Sequence, residues 1–319
     1  VRELSRSLLI HRLKWTIANC EPRGTAFAIG RTLLAIASLA NLLANQDSTL
    51  FSAAEAPACA GLRNVSLWCL AGPTENGLLS SRIIAVVVLV VTASGYRPRW
   101  TCVPHWYVAF SLAASASISN GGDRTAHIAA LLLIPICLGD GRRWQWQPAT
   151  GPLSPEWRGR AFAALLVLRL QIFVIYVTAL AAKLGDPLWR QGSAMYVVAH
   201  DRHYGVPEQM RILVEPGLNS FPAVAVATWT VIAVQAVLAL AILVGAKARK
   251  VVLLLGLSLH AGIGLLMNLP AFGLAMAGLL VIGTATLGPG HGQDGLRTNA
   301  RPVNLRKRER PALSASPRP

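Results

Sequence analysis

The chain is 319 residues long, 53% hydrophobic and only 14% charged, a composition too apolar for a soluble surface of this size, so it reads as an integral membrane protein. Its 30 lysines and arginines against 14 acids give a net charge of +16. No basic run is interleaved with aromatics, which argues against a nucleic-acid partner and for contact with anionic membrane lipid.

Residues 1–25 read as a cytoplasmic N-terminal tail. Val1 to Arg23 is too polar to supply the apolar core of a cleavable signal peptide, so the first hydrophobic segment is expected to stay as an anchor. Apolar runs follow at Ala26–Leu43, Ile83–Ser94, His105–Ile118, Ala126–Leu138, Phe162–Ala182, Ala223–Val244, Val251–Met267 and Ala271–Leu287. They predict an all-α, polytopic bundle of about eight membrane helices over residues 26–288. The pair from His105 to Leu138 falls short of the roughly 20 residues of a straight crossing, which leaves two readings open, a re-entrant hairpin or two crossings. Residues 289–319, rich in Pro, Gly, Ser and Arg with no apolar period, read as a disordered basic tail.

Of the 30 basic residues, 21 fall in the two tails and in alternate connections, seven in the other connections, and two, Arg31 and Arg169, inside helices. The positive-inside rule then makes both termini cytoplasmic, in a multi-pass protein of the cell membrane. With that orientation Cys59 and Cys69 share the first outer loop, in an oxidising space, and are expected to be bonded, the alternative being two buried thiols. Cys20, Cys102 and Cys137 fall at cytoplasmic ends and are expected to be free.

Three outer segments look too specific to be connectors: Asn45 to Ser80, Ser119 to Arg124, and Lys183 to Pro222. In SNGGDRTAHIAALLL the Asn-Gly-Gly run suits a tight turn, and Asp123 and His127 stand four residues apart on one helical face. Those two are an acid–base or metal pair on one reading, and a capping aspartate above a packed histidine on the other. His200 and His203 form a His-x-x-His without an HExxH frame or a nearby cysteine, so a solvated loop pair is the better reading.

Gln171 to Gly192, QIFVIYVTALAAKLGDPLWRQG, is the most informative stretch. Arg169, Tyr176 and Lys183 recur every seven residues and line one stripe about 21 Å long that drifts by about 40°. Lys183 reads either as an anchor that snorkels to the interface or as a working amine, for which burial against Trp189 would help and Asp186 would not. Arg169, deep in its helix, needs a backbone carbonyl, a headgroup or a bound polar ligand as partner. Gln171, Gln235, His260 and Asn268 are expected to hydrogen-bond neighbouring helices.

The pattern Gln-aromatic-x-x-Tyr, Lys-Leu, Trp-x-x-Gly resembles the membrane domain shared by vitamin K-dependent gamma-carboxylases and the bacterial horizontally transferred transmembrane (HTTM) proteins. The likeness runs from about Arg31 to Leu287, with a second match at NGGDRTAHIAALLL, Asp140 and Arg142-Arg143-Trp144. The cysteine pair before SLWCL and the NGGD segment make it most similar to the sporulation-delaying protein B branch. That resemblance implies a membrane component that works with a small maturation partner protein on a secreted peptide precursor to give an antimicrobial toxin. The carboxylase side of the family implies instead a quinol-dependent enzyme, with a quinol such as menaquinone or vitamin K hydroquinone as cofactor and Lys183 as base. Asp123 and His127 would assist it, and Arg169, Tyr176 and Trp189 would line a headgroup pocket. A third reading is a non-catalytic immunity protein that binds the peptide. The large luminal domain of the carboxylases is absent from the span of likeness, and their assisting histidine falls near Gly122 and Asp123, about a turn from His127, so glutamate carboxylation itself is not expected. Whether the chain is an enzyme stays open at this point.

Overall fold

Each of the eight apolar runs folds as a helix in a computed structural model, which describes residues 11, 14–50, 59–72, 74–116 and 121–286. The helices are α1 (Thr25–Ala44), α2 (Glu75–Ser94), α3 (Pro98–Ser115), α4 (Gly121–Cys137), α5 (Pro155–Gly185), α6 (Phe221–Ala241), α7 (Ala246–Leu266) and α8 (Pro270–Thr284). Five of them, α1, α2, α5, α6 and α7, are long and apolar enough to cross a membrane. No strand occurs among the described residues. Residues 1–10, 12 and 13 of the expected N-terminal tail, the tail at 289–319, and Ser119 and Asn120 of the turn lie outside them.

Several helices start well before their apolar runs, because capping chemistry satisfies the polar first turns. Thr74 accepts from the Gly77 N–H at 3.1 Å and Glu75 occupies the first turn of α2, where its charge suits the helix dipole. In the next turn Arg82 donates to the Leu42 and Asn45 carbonyls at the C-terminal end of α1. The polar turns ahead of the apolar run thus become a tie between two helix ends. Prolines stand in the first turns of α3, α5, α6 and α8, where a missing N–H costs nothing.

Alternate connections collect at opposite ends of the bundle. At one end the turn after α2 meets the loop after α4, Arg23 reaches the Gly151 carbonyl at 2.8 Å, and Arg158 reaches that of Ala18. This basic end also carries the free, buried Cys20, Cys102 and Cys137. At the far end Asn41 of α1 donates to Asp123 of α4, and Ser66 and Leu67 in the α1–α2 connection bond Ser115 and Ser111 of α3. The α3–α4 pair meets α1 at two levels, at Thr101, which takes a bond from Arg31, and at Asp123, which takes one from Asn41.

Cys59 and Cys69 are bonded, with Cα atoms 5.7 Å apart. The bridge closes the α1–α2 connection beside Trp68, which is fully buried.

A close helix crossing joins α1 and α8, far apart in sequence. A Cβ on Gly30 would stand 2.7 Å from the Gly278 carbonyl oxygen and 2.3 Å from Ile282, and a Cβ on Gly278 would stand 2.8 Å from the Gly30 oxygen. Small residues let the two backbones touch, which is how helices associate where apolar burial gives no preference over lipid. Around this contact Leu34, Leu165, Leu168, Ile172, Leu279 and Leu280 fill the main core.

Candidate functional site

The three members of the polar row on α5 have separate partners. Arg169 donates from Nε to the Gly283 carbonyl at 2.8 Å and from Nη2 to that of Ala285 at 2.7 Å, so a guanidinium closes the last carbonyls of α8. A cation is favoured there by the negative end of the helix dipole. Of the three partners open to Arg169, backbone carbonyls are the ones it has.

Seven residues on, Tyr176 and His260 of α7 share a hydrogen bond of 2.9 Å between the phenol oxygen and Nε2, with both side chains buried. Phe272 of α8 meets the imidazole edge at 5.4 Å between ring centroids. His260 is thus the neighbouring-helix contact anticipated for a single polar residue, and its Nδ1 is buried without a hydrogen-bond partner.

Lys183 lies in the last turn of α5 at the far end, half-buried, with its ammonium 4.9 Å from the centre of the Trp189 ring. That is a cation–π contact. Asp186, close in sequence, points elsewhere. Its carboxylate accepts from the Leu188 N–H at 2.9 Å and caps the short helix Pro187–Arg190. No ion pair to Lys183 exists among the described residues. The Trp-x-x-Gly part of the motif closes the same corner: Gly192 adopts φ +78° and its carbonyl accepts from Thr228 of α6 at 3.1 Å. Thr228 Oγ1 in turn accepts from the Met195 N–H at 3.2 Å, which holds the outer segment on α6 and keeps Trp189 near the lysine.

Asp123 and His127 go separate ways. Both Asp123 oxygens accept from Asn41 Nδ2, at 3.0 and 2.9 Å. The carboxylate sits in the first turn of α4 and ties that helix to α1. His127 packs its ring by Phe110 and Trp106, at 5.5 and 6.5 Å between centroids. His200 is held by its own turn, with Nδ1 2.8 Å from the Tyr196 carbonyl, and no group of three metal-ligating side chains occurs among the described residues.

At the basic end lies a second polar centre that no motif announces. Arg31 is almost fully buried and donates to Gln145 Oε1 at 2.9 Å and to Thr101, while Gln145 Nε2 donates to Thr32 at 2.8 Å and to the Ala28 carbonyl at 3.1 Å. Amide and hydroxyl groups do here what a carboxylate does elsewhere. In the segment before α1, burial pushes the Cys20 thiol up to about 11, with the Glu21 carboxylate adding to it, which leaves it protonated and unreactive near neutral pH. Burial works against the Glu21 carboxylate as well, but its hydrogen bonds and ion pair with Arg23, 2.6 Å away, prevail and hold it below the usual range.

Lys183 stands at the end of the bundle that carries the Cys59–Cys69 bridge, with no ion pair among the described residues. Arg169 and Tyr176 are engaged inside the bundle. Comparison with known proteins adds two relatives from Bacillus subtilis (strain 168). The chain is 31% identical over 284 residues to the uncharacterized protein YitO, covering 86% of this chain and 90% of that one. It is 29% identical over 276 residues to the sporulation-delaying protein SdpB, covering 86% and 85%. No family model and no solved structure matches it.

Proposed function

The chain belongs to the family of YitO and SdpB, and from that premise we propose that it is a multi-pass membrane component of a system that matures a secreted peptide of the sporulation-delaying type. It acts on the exported precursor at the end of the bundle that carries Lys183, together with a small maturation partner protein. The observation that carries this reading is the amine of Lys183 in the last turn of α5, held over Trp189 and free of an ion pair to Asp186.

The test is deletion of the gene in a producing strain, with the exported peptide followed by mass spectrometry of the medium. Precursor should accumulate and the mature form disappear, with restoration by the wild-type chain. Unchanged maturation in a strain that has become sensitive to its own peptide would instead identify an immunity protein.

In this reading both termini are cytoplasmic. The skew of 21 basic residues to one side supports it, as does the separation of the bonded Cys59–Cys69 pair from the three free thiols at the opposite end. An alkaline phosphatase fused after Arg310 should be inactive and a cytoplasmic reporter at the same place active. Full phosphatase activity would reverse the orientation.

A further inference from the structure

Two short connections meet at the basic end and are locked together. Arg97 N–H donates to the Arg143 carbonyl at 2.8 Å, Gln145 N–H to that of Gly95 at 2.9 Å, and Trp146 Nε1 to that of Ser94 at 2.8 Å. Tyr96 and Trp144 form an antiparallel bridge and pack edge to face. Gly95 is required here, since with φ +86° its Cβ would stand 2.5 Å from Gln145. Arg97 itself holds φ +36°, a region few side chains adopt. From beneath, the Gln145 contacts with Arg31 and Thr32 pin the pair of loops to α1. The result is a rigid frame.

This frame surrounds a cavity of about 200 Å³ lined by Arg97, Arg99, Arg142 and Arg143 with Trp100 and Asp140. Asp140 is already taken. Arg142 pairs with it at 2.7 Å and also donates to the Gln147 carbonyl at 2.6 Å. Arg97, Arg99 and Arg143 have no acidic partner among the described residues, and all three are exposed. Arg97 lies over the Tyr96 ring at 5.7 Å, and three like charges on one frame without an acid favour an anion between them. Beside them Trp100 is 70% exposed and Trp146 48%, at the end of a membrane bundle, the level at which indole rings sit among headgroups.

We propose that this cavity binds the phosphodiester headgroup of an anionic phospholipid. Guanidinium forks match phosphate oxygens in pairs, and the net positive lining favours a headgroup of net negative charge over a zwitterion. The exposed indole gives the lipid its specificity over free phosphate, because it packs on the glycerol and upper acyl chain while the arginines hold the phosphate. The site is independent of the proposed role in peptide maturation.

The full chain, purified in neutral detergent, is titrated with phosphatidylglycerol, phosphatidylcholine or inorganic phosphate and read by native mass spectrometry and by thermal melting. Phosphatidylglycerol should bind and raise the melting temperature, and the other two should do neither. Binding should weaken about fivefold in Arg99→Gln and about a hundredfold in the triple change Arg97→Asn, Arg99→Gln, Arg143→Gln, since each arginine near the surface contributes a similar increment. Asparagine is chosen at 97 because it tolerates a positive φ. Arg99→Gln alters only an exposed, unpaired side chain, so it carries the test even where the triple variant fails to fold. Equal affinity in Arg99→Gln, equal retention of phosphatidylcholine, or equal protection by inorganic phosphate would each overturn the proposal.

Discussion

Lys183→Arg is expected to cut production of mature peptide at least about tenfold, equivalent to roughly 1.4 kcal/mol in a barrier, while expression, insertion and melting temperature stay as in the wild type. The logic lies in what arginine keeps and what it loses. A guanidinium carries the same charge, snorkels equally well and stacks on an indole at least as favourably as an ammonium, so an anchoring role over Trp189 would survive the change. What arginine cannot do in a protein is give up its proton and act as a neutral amine. Measured against unchanged membrane levels of the protein, a loss of mature peptide isolates the amine chemistry. A fully active Lys183→Arg would remove Lys183 from any catalytic account and leave peptide binding as the role of this end of the bundle.

Gly30→Val should be the most damaging small substitution in the core. The new Cβ would meet the backbone oxygen of Gly278 as well as Ile282, and a carbonyl in a packed helix cannot swing aside as a side-chain tip can. Overpacking of a core costs about 1–3 kcal/mol, and contact with rigid backbone puts this case at the upper end. A clear drop in melting temperature and in the monodisperse fraction on size-exclusion chromatography is expected. Gly262→Ala on α7 is the control, for nothing lies within 4 Å of its added Cβ, and the alanine should be neutral or slightly stabilising. If Gly30→Val melted with the wild type, the α1–α8 contact would not be the tight crossing described.

Helix positions were readable from the apolar runs alone, because a lipid-facing segment must be hydrophobic nearly all round and its length is fixed by the bilayer. Helix starts were less so. The run beginning at Ile83 hides two polar turns from Glu75 that are stable only because Thr74 caps them and Arg82 finds carbonyls on α1. The disulfide was legible from which connection held the cysteines. The seven-residue spacing of Arg169, Tyr176 and Lys183 also showed in the sequence, but not that each faces a different neighbour, which depends on where α7, α8 and the outer segment pack. Gln145 could not have been found at all. Nothing in Trp-Gln-Trp announces that its amide meets an arginine 114 residues earlier.

That last separation bears on how the protein is made. Arg31 belongs to the first hydrophobic helix, yet the groups that hold its guanidinium, the Thr92 carbonyl, Thr101 and Gln145, lie 61, 70 and 114 residues downstream. At about 5–20 residues per second, roughly 6 to 23 s of synthesis separate the charge from its amide partner. During that interval a charged side chain in a nascent span is expensive in lipid and must either reach toward the headgroups or keep its helix beside the insertion machinery. Stable seating of α1 thus waits on a loop translated after α4, so α1 is finished only after helices that are synthesised later than it.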